Sequence, residues 1–206
     1  IQQGDAPAAM HTMQALGDIE ALHLRGLIEL HWSDDDGSHH EQGDLEVWVQ
    51  GHSHASARVT KFGDVYIWTG STPDGDFTFD LTGEPTTLTT SHTNAGAGSI
   101  LHPSALRRLL GMVGLPADAV ATSMDNAVQV AFDRADGSHE VIDLDASVSN
   151  VTLVTITMPN GRTVMAEHRT HNDGLTIGQR PFARYVDVRS GDDLARFFLA
   201  SIETPD

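Results

Sequence analysis

Twelve histidines are the first residues in this sequence that could do chemistry. Neutral imidazole serves both as a general base and as a ligand for zinc-class metals. His52 and His54 stand two apart, which on a strand projects both from one face. His39 and His40 are neighbours in a turn, where side chains diverge, and His168 and His171 lie near another turn. A lasting metal site needs three or four converging ligands. No His-Glu-x-x-His run or suitably spaced acid completes any of these pairs. They read as solvated histidines on polar faces, with no metal and no cofactor.

Nucleophilic chemistry has less support. No Gly-x-Ser-x-Gly surrounds any serine, and Gly70-Ser71 and Gly137-Ser138 sit in turn contexts. Asp125 with Asp133, or Asp143 with Asp145, could pair as carboxylates. Each alternates with apolar residues, which puts it on a wet strand face. Gly70, Gly96 and Gly98 match neither phosphate-binding loop pattern. The chain reads as a non-enzyme.

Composition narrows the partners. The formal net charge is −17 and Lys61 is the only lysine. Such a field repels phosphate backbones and anionic lipid surfaces, which argues against nucleic acid and electrostatic membrane docking. The absence of cysteine excludes thiol catalysis, disulfides and thiolate-bound zinc. No apolar run approaches the roughly 20 residues that span a bilayer. The sequence opens at Ile1, and Gln2, Gln3, Gly4, Asp5, Ala6 and Pro7 read as a tether. Residues 1–9 are therefore expected to be flexible, in a mature or truncated form of an exported chain whose signal segment, and any acylated cysteine, preceded Ile1. Residues 10–206 are expected to form one domain, a length that all-β folds often reach.

The elements that would position any site follow from periodicity. Even positions from 22 to 32 read Leu22, Leu24, Gly26, Ile28, Leu30, Trp32, while odd positions carry His23, Arg25, Leu27, Glu29 and His31. That alternation predicts a long strand with one dry face. It repeats through Leu45, Val47 and Val49, through Phe77, Phe79 and Leu81, and through Val128, Val130 and Phe132. Ile142 to Val148 and Val154 to Met158 continue it. Asp-Gly pairs at 36, 74, 136 and 173 and Asn160-Gly161 mark hairpin turns. The repeated Asp-Gly-Ser-His at 36–39 and 136–139 reads as two similar turns. Helical spacing is predicted over 103–113, behind Pro103 and before Gly114 and Pro116, and over 192–202 through Leu194, Phe197, Phe198 and Ile202. A shorter helix fits Met10–Leu16. Thr86 to Gly98 reads as a mobile crossing.

Two helices are too few to cover a flat sheet with so long an apolar face. A curved sheet wrapped around them would enclose either an apolar cavity or a filled core. The sequence alone leaves both open.

The order of features runs from a short helix through Leu24-Arg25-Gly26 to Asp36-Gly37. Then come Asp44-Leu45-Glu46-Val47-Trp48, Arg58-Val59-Thr60-Lys61, Gly63-Asp64-Val65-Tyr66-Ile67-Trp68, and the helix from Pro103-Ser104-Ala105-Leu106 to Leu109-Leu110-Gly111. This order resembles the LolA/LolB-like lipoprotein-localisation superfamily, and in particular its uncharacterised bacterial lipoprotein relatives. The resemblance covers nearly the whole chain. It implies a mainly β (α+β) fold: a single curved antiparallel sheet, an incomplete barrel, with two or three short helices as plug or lid. It also implies a cavity for acyl chains, with Leu24, Ile28, Leu30, Leu45, Val47, Phe77 and Phe79 on the sheet side and Leu106, Leu109 and Leu110 on the lid. Arg25 and Arg58 lie in the region of the carriers' lid-locking arginine. The receptors' protruding hydrophobic loop has no counterpart in the turns at 34–40 and 73–76, which are polar.

The expectation is a monomeric protein of the periplasm or outer membrane that binds a lipid or acyl chain, with no nucleic acid. The alternative is a non-catalytic envelope interaction module with a filled core, using its acidic convex face or Trp48 and Trp68 to engage a protein partner.

Overall fold

A computed structural model of the 206-residue chain describes residues 5–51, 54–81, 86–91, 103–169, 171, 173–177 and 180–204. The predicted alternations become strands, except that Ala146 and Val148 fall in the turn after Asp145. In chain order the elements are α1 (Asp5–Gly17), β1 (Ala21–Asp34), β2 (Gly37–Gln50), β3 (His54–Lys61), β4 (Asp64–Thr72), β5 (Gly75–Asp80), β6 (Thr87–Ser91) and α2 (Pro103–Leu109). There follow β7 (Val120–Ser123), β8 (Ala127–Asp133), β9 (His139–Asp145), β10 (Val151–Thr157), β11 (Thr163–Arg169), β12 (Thr176–Ile177), β13 (Arg180–Pro181), β14 (Tyr185–Ser190) and β15 (Asp193–Glu203).

Thirteen of these strands form one open antiparallel sheet, in the order β6-β5-β4-β3-β2-β1-β15-β14-β11-β10-β9-β8-β7. β12 and β13 pair separately. The chain clusters into two compact units, one of residues 20–107 and 192–206, the other of residues 1–19 and 108–191.

Three expectations are corrected. The helix expected over 192–202 is the strand β15, which pairs along β1 from His23↔Glu203 to His31↔Leu194. The N-terminal helix begins at Asp5, so residues 5–9 are its first turns rather than tether. Part of the expected crossing, 87–91, is the strand β6, and 92–98 lie outside the described residues.

In the first unit, tight hairpins set the register. Asp34 faces Gly37 across a two-residue turn, and Lys61 faces Asp64 across Phe62-Gly63. Phe62 and Gly63 both have positive φ, 55° and 91°, the twist that suits two-residue hairpins. Directly opposed residues share a face. Leu24 pairs with Val47, Leu45 with Val59, and Val47 with Ala57, which makes one continuous aliphatic face across β1–β3. Each leucine or valine among them contributes about 1.5–3 kcal/mol when fully buried.

In the second unit, β8–β11 and β14 carry a core that includes Val130, Ile142, Leu144, Val154, Ala166 and Val186, all buried. α1 lies against β7 and β8 and buries Ala9, Met13 and Leu16. Thr12 donates its hydroxyl to the Val148 carbonyl at 2.8 Å, fixing the helix against the β9–β10 turn. No described helix is long and apolar enough to cross a membrane.

Candidate functional site

The aliphatic face of the first unit contains most of the sheet-side residues singled out by sequence. Leu24, Ile28, Leu45 and Val47 are all buried on it. Leu30 belongs to the same alternation but is only half-buried. It stands opposite Glu41, one step before the ring stack of Trp32 on His39, with centroids 5.0 Å apart. Leu106 of α2 is buried in this unit too, and its neighbour Arg107 donates to the Gly51 carbonyl. Burial pulls the Arg107 pKa downward.

Phe77 and Phe79 depart from expectation. Phe79 faces Trp68, which faces Arg58, which faces Glu46, and that row lies on the side opposite Leu45 and Val47. Phe77 faces Gly70, and a Cβ on Gly70 would come within 2.4 Å of the Phe77 ring. Both phenylalanines therefore leave the proposed lining. The physical reason is that β5 inverts the usual rule: its aromatic face is half-exposed, while Asp76 is 7% exposed on the other. Asp76 accepts the Ser71 hydroxyl at 2.5 Å, and Thr69 hydrogen-bonds to the Phe77 carbonyl and the Thr78 hydroxyl. The face that begins aliphatic on β1–β3 thus turns polar on β4–β5.

The opposite face carries the aromatic and charged groups. Trp48 stacks on His23 with centroids 5.0 Å apart, beneath the Arg58 guanidinium. Arg58 is ion-paired to Glu46, and Arg25 lies 3.5 Å from the same carboxylate. Both arginines in the region of the carriers' lid lock are thus held on the face away from the aliphatic residues. Trp68 is 44% exposed, meets Phe77 edge-on, stacks on Phe79, and donates to the Ser56 hydroxyl.

In the second unit, Leu109 and Leu110 are buried. The helix ends earlier than predicted, at Leu109 rather than 113, because Gly111 takes a φ of +74° and its amide closes onto the Arg108 carbonyl. One orphan carbonyl of the helix end, that of Leu109, accepts a hydrogen bond from His168 Nε2 at 2.7 Å. His168 is buried against Phe182, and burial holds its pKa down at about 4. It was expected to be solvated and is not: as a neutral donor it satisfies a carbonyl that water does not reach. Arg108 reaches Glu140, which is fully buried, and Arg134 binds the same carboxylate. Ser138 and Asp136 complete that network.

His39 and His40 lie in β2 rather than in the turn, and the other histidines and acids singled out by sequence scatter. His171 donates to the Val151 carbonyl, His54 is exposed, and His52 lies outside the described residues. Asp133 pairs with His139, Asp143 accepts from Gln129, and Asp145 ties the turn before Asn150. Asp125 is exposed. The two Asp-Gly-Ser-His stretches sit at the β1–β2 and β8–β9 hairpins.

Sequence reasoning missed Phe62. Phe62, at the tip of the β3–β4 hairpin, is 97% exposed with a left-handed backbone, a conformation that bulky side chains rarely adopt. The Lys61-Phe62-Gly63-Asp64 stretch held the signal: a residue-Gly pair between two alternating runs, with an aromatic in the first turn position.

No protein-family profile matches the chain, and no curated protein matches it in sequence. Solved structures do match its fold. A LolA-superfamily protein of Nitrosomonas europaea superposes with a TM-score of 0.64 at 7% identity, over 98% of this chain and 94% of that one. A DUF1329-family protein of Desulfovibrio piger gives 0.62 at 7% identity, over 97% and 92%. An outer-membrane lipoprotein-sorting domain of Vibrio parahaemolyticus gives 0.56 at 8% identity, over 98% and 93%.

Proposed function

The fold is LolA-like, and from that premise we propose that the protein is a non-catalytic binding protein of the bacterial envelope that shelters an acyl chain. The ligand would lie along the aliphatic face of β1–β3, against Leu24, Ile28, Leu45 and Val47, with Leu106 as part of its cover. The observation that carries this reading is the continuity of that face and its change to Thr69, Thr78 and Asp76 on β4–β5. An amphiphile has the same sequence of apolar and polar parts. Each methylene buried contributes about 0.8 kcal/mol, so a long chain binds with few polar contacts. Phe62 would meet the membrane surface: an exposed aromatic at a hairpin tip adds apolar contact without the net positive charge this chain lacks.

Native mass spectrometry of the purified protein, followed by organic extraction, tests the proposal. A stoichiometric acyl-bearing adduct is expected. A bare protein mass, unchanged after incubation with fatty acids and phospholipids, would sink it.

The exposed Trp68, with Phe77 and Phe79 beside it, favours a second reading, an interaction module that engages another envelope protein through this face. A partner that co-purifies with the wild type and is lost from Trp68→Ser, with no lipid in either sample, would select it.

A further inference from the structure

We propose that Glu29, His31 and His40 form a binding site for a divalent cation of the zinc class, on the face of the β1–β2 hairpin opposite the aliphatic one. The register makes the cluster. His31 and His40 are direct cross-strand partners, and Glu29 is two residues before His31, hence on the same face. One ligand atom from each, drawn from the imidazole nitrogens and the carboxylate oxygens, lies within 4.8 Å of the other two.

The two imidazole rings are stacked nearly parallel, with centroids 4.4 Å apart and planes 14° off. Nε2 of His31 is shielded from solvent and makes no hydrogen bond; the nearest acid, Glu29, stands 3.9 Å away. A polar atom shielded in this way is costly, and a metal ion placed among the three side chains would satisfy it. A tetrahedral zinc ion about 2.1 Å from each ligand would hold them roughly 3.4 Å apart, so no separation has to close by more than about 1.4 Å. His40 is exposed and Glu29 half-exposed, so both are free of the packing that would prevent such a rotation.

Two imidazoles and one carboxylate suit zinc, nickel or copper(II) better than calcium or magnesium, which take oxygen ligands. Three protein ligands leave at least one coordination position for water or an outside group. Arg196 opposes the site. It faces Glu29 across β1–β15, with Nη1 3.8 Å from the carboxylate, and its charge lowers the affinity for a cation.

The test is a calorimetric titration of the wild-type protein with zinc chloride, repeated with magnesium chloride. One saturable zinc equivalent is expected, with no saturable magnesium. His31→Asn and His40→Asn should each weaken zinc binding by roughly ten-fold or more, and His11→Asn, an exposed histidine of α1, should leave it unchanged. Arg196→Gln should tighten it. Histidine side-chain NMR should show the His31 and His40 resonances moving together on the first equivalent. Zinc binding that survives both His40→Asn and Glu29→Gln in folded protein overturns the proposal, as does magnesium binding of equal strength. His40 is exposed, so its variant folds even if His31→Asn does not.

Discussion

His168 donates its Nε2 proton to the carbonyl of Leu109 at 2.7 Å, which binds the last residue of α2 to a buried side chain of β11. The hydrogen bond needs a protonated Nε2, and the apolar surroundings need a neutral ring. Both hold only while the imidazole carries one proton. Burial keeps the folded-state pKa near 4, against an ordinary value of 6.5.

The sign of the pH effect follows. Between pH 6.5 and 4 the unfolded chain binds a proton at His168 that the folded chain refuses, so stability falls as pH falls through that window. The full shift corresponds to about 3 kcal/mol. Urea midpoints measured at pH 7 and pH 4.5 should differ less in His168→Gln than in wild type, because glutamine keeps a donor but does not titrate. Equal differences would show that other groups govern acid stability.

Glu140 is fully buried between Arg108 and Arg134. Removing the acid leaves two guanidinium groups without their shared partner. Glu140→Ala should cost about 3–5 kcal/mol in denaturant unfolding. A loss under 1 kcal/mol would mean that solvent, rather than the acid, balances the arginines.

At Gly26 the β1–β15 register shifts, and a Cβ would sit 2.0 Å from the Phe198 carbonyl oxygen. That neighbour is backbone and has little room to yield. Gly26→Ala should destabilise by at least about 2 kcal/mol, whereas Gly37→Ala, with open space around it and a strained φ alone, should cost less. Thermal melts of the two variants give the ranking directly.

Phe62 combines strain with exposure, so stability and surface binding should separate there. Phe62→Asn suits the left-handed backbone and should raise the melting temperature, since the strain it relieves is on the order of 1 kcal/mol. The same variant should float less with phospholipid vesicles. Unchanged flotation would remove Phe62 from the membrane contact.

The alternation of Leu22 through Trp32 made β1 legible, and the same logic located most of the strands. It failed at β15 for a specific reason. Leu194, Phe197, Phe198 and Ile202 satisfy helical spacing, yet Ala195, Phe197 and Leu199 are the buried set and recur every second residue. Pairing with β1, nearly the whole chain away, decided between two periods that the segment fits equally well. Phe77 and Phe79 failed differently. Their strand was evident, but apolarity misassigned its face, because the acidic side of β5 is the more buried one. The Glu29–His31–His40 cluster was invisible as spacing: it exists only once Asp34 and Gly37 close the hairpin and set His31 opposite His40.

The pairing of β1 with β15 also has a consequence for how the chain acquires its structure. β1 leaves the ribosome about 170 residues ahead of its second neighbour, β15. Throughout that interval β1 presents one bare hydrogen-bonding edge with Leu24 and Ile28 beside it, the kind of edge that recruits stray strands. Residues 20–107 must therefore wait in a half-built form until β15 is made. A molecule shielding that edge in the interval would protect the protein from aggregation without forming any part of its final fold.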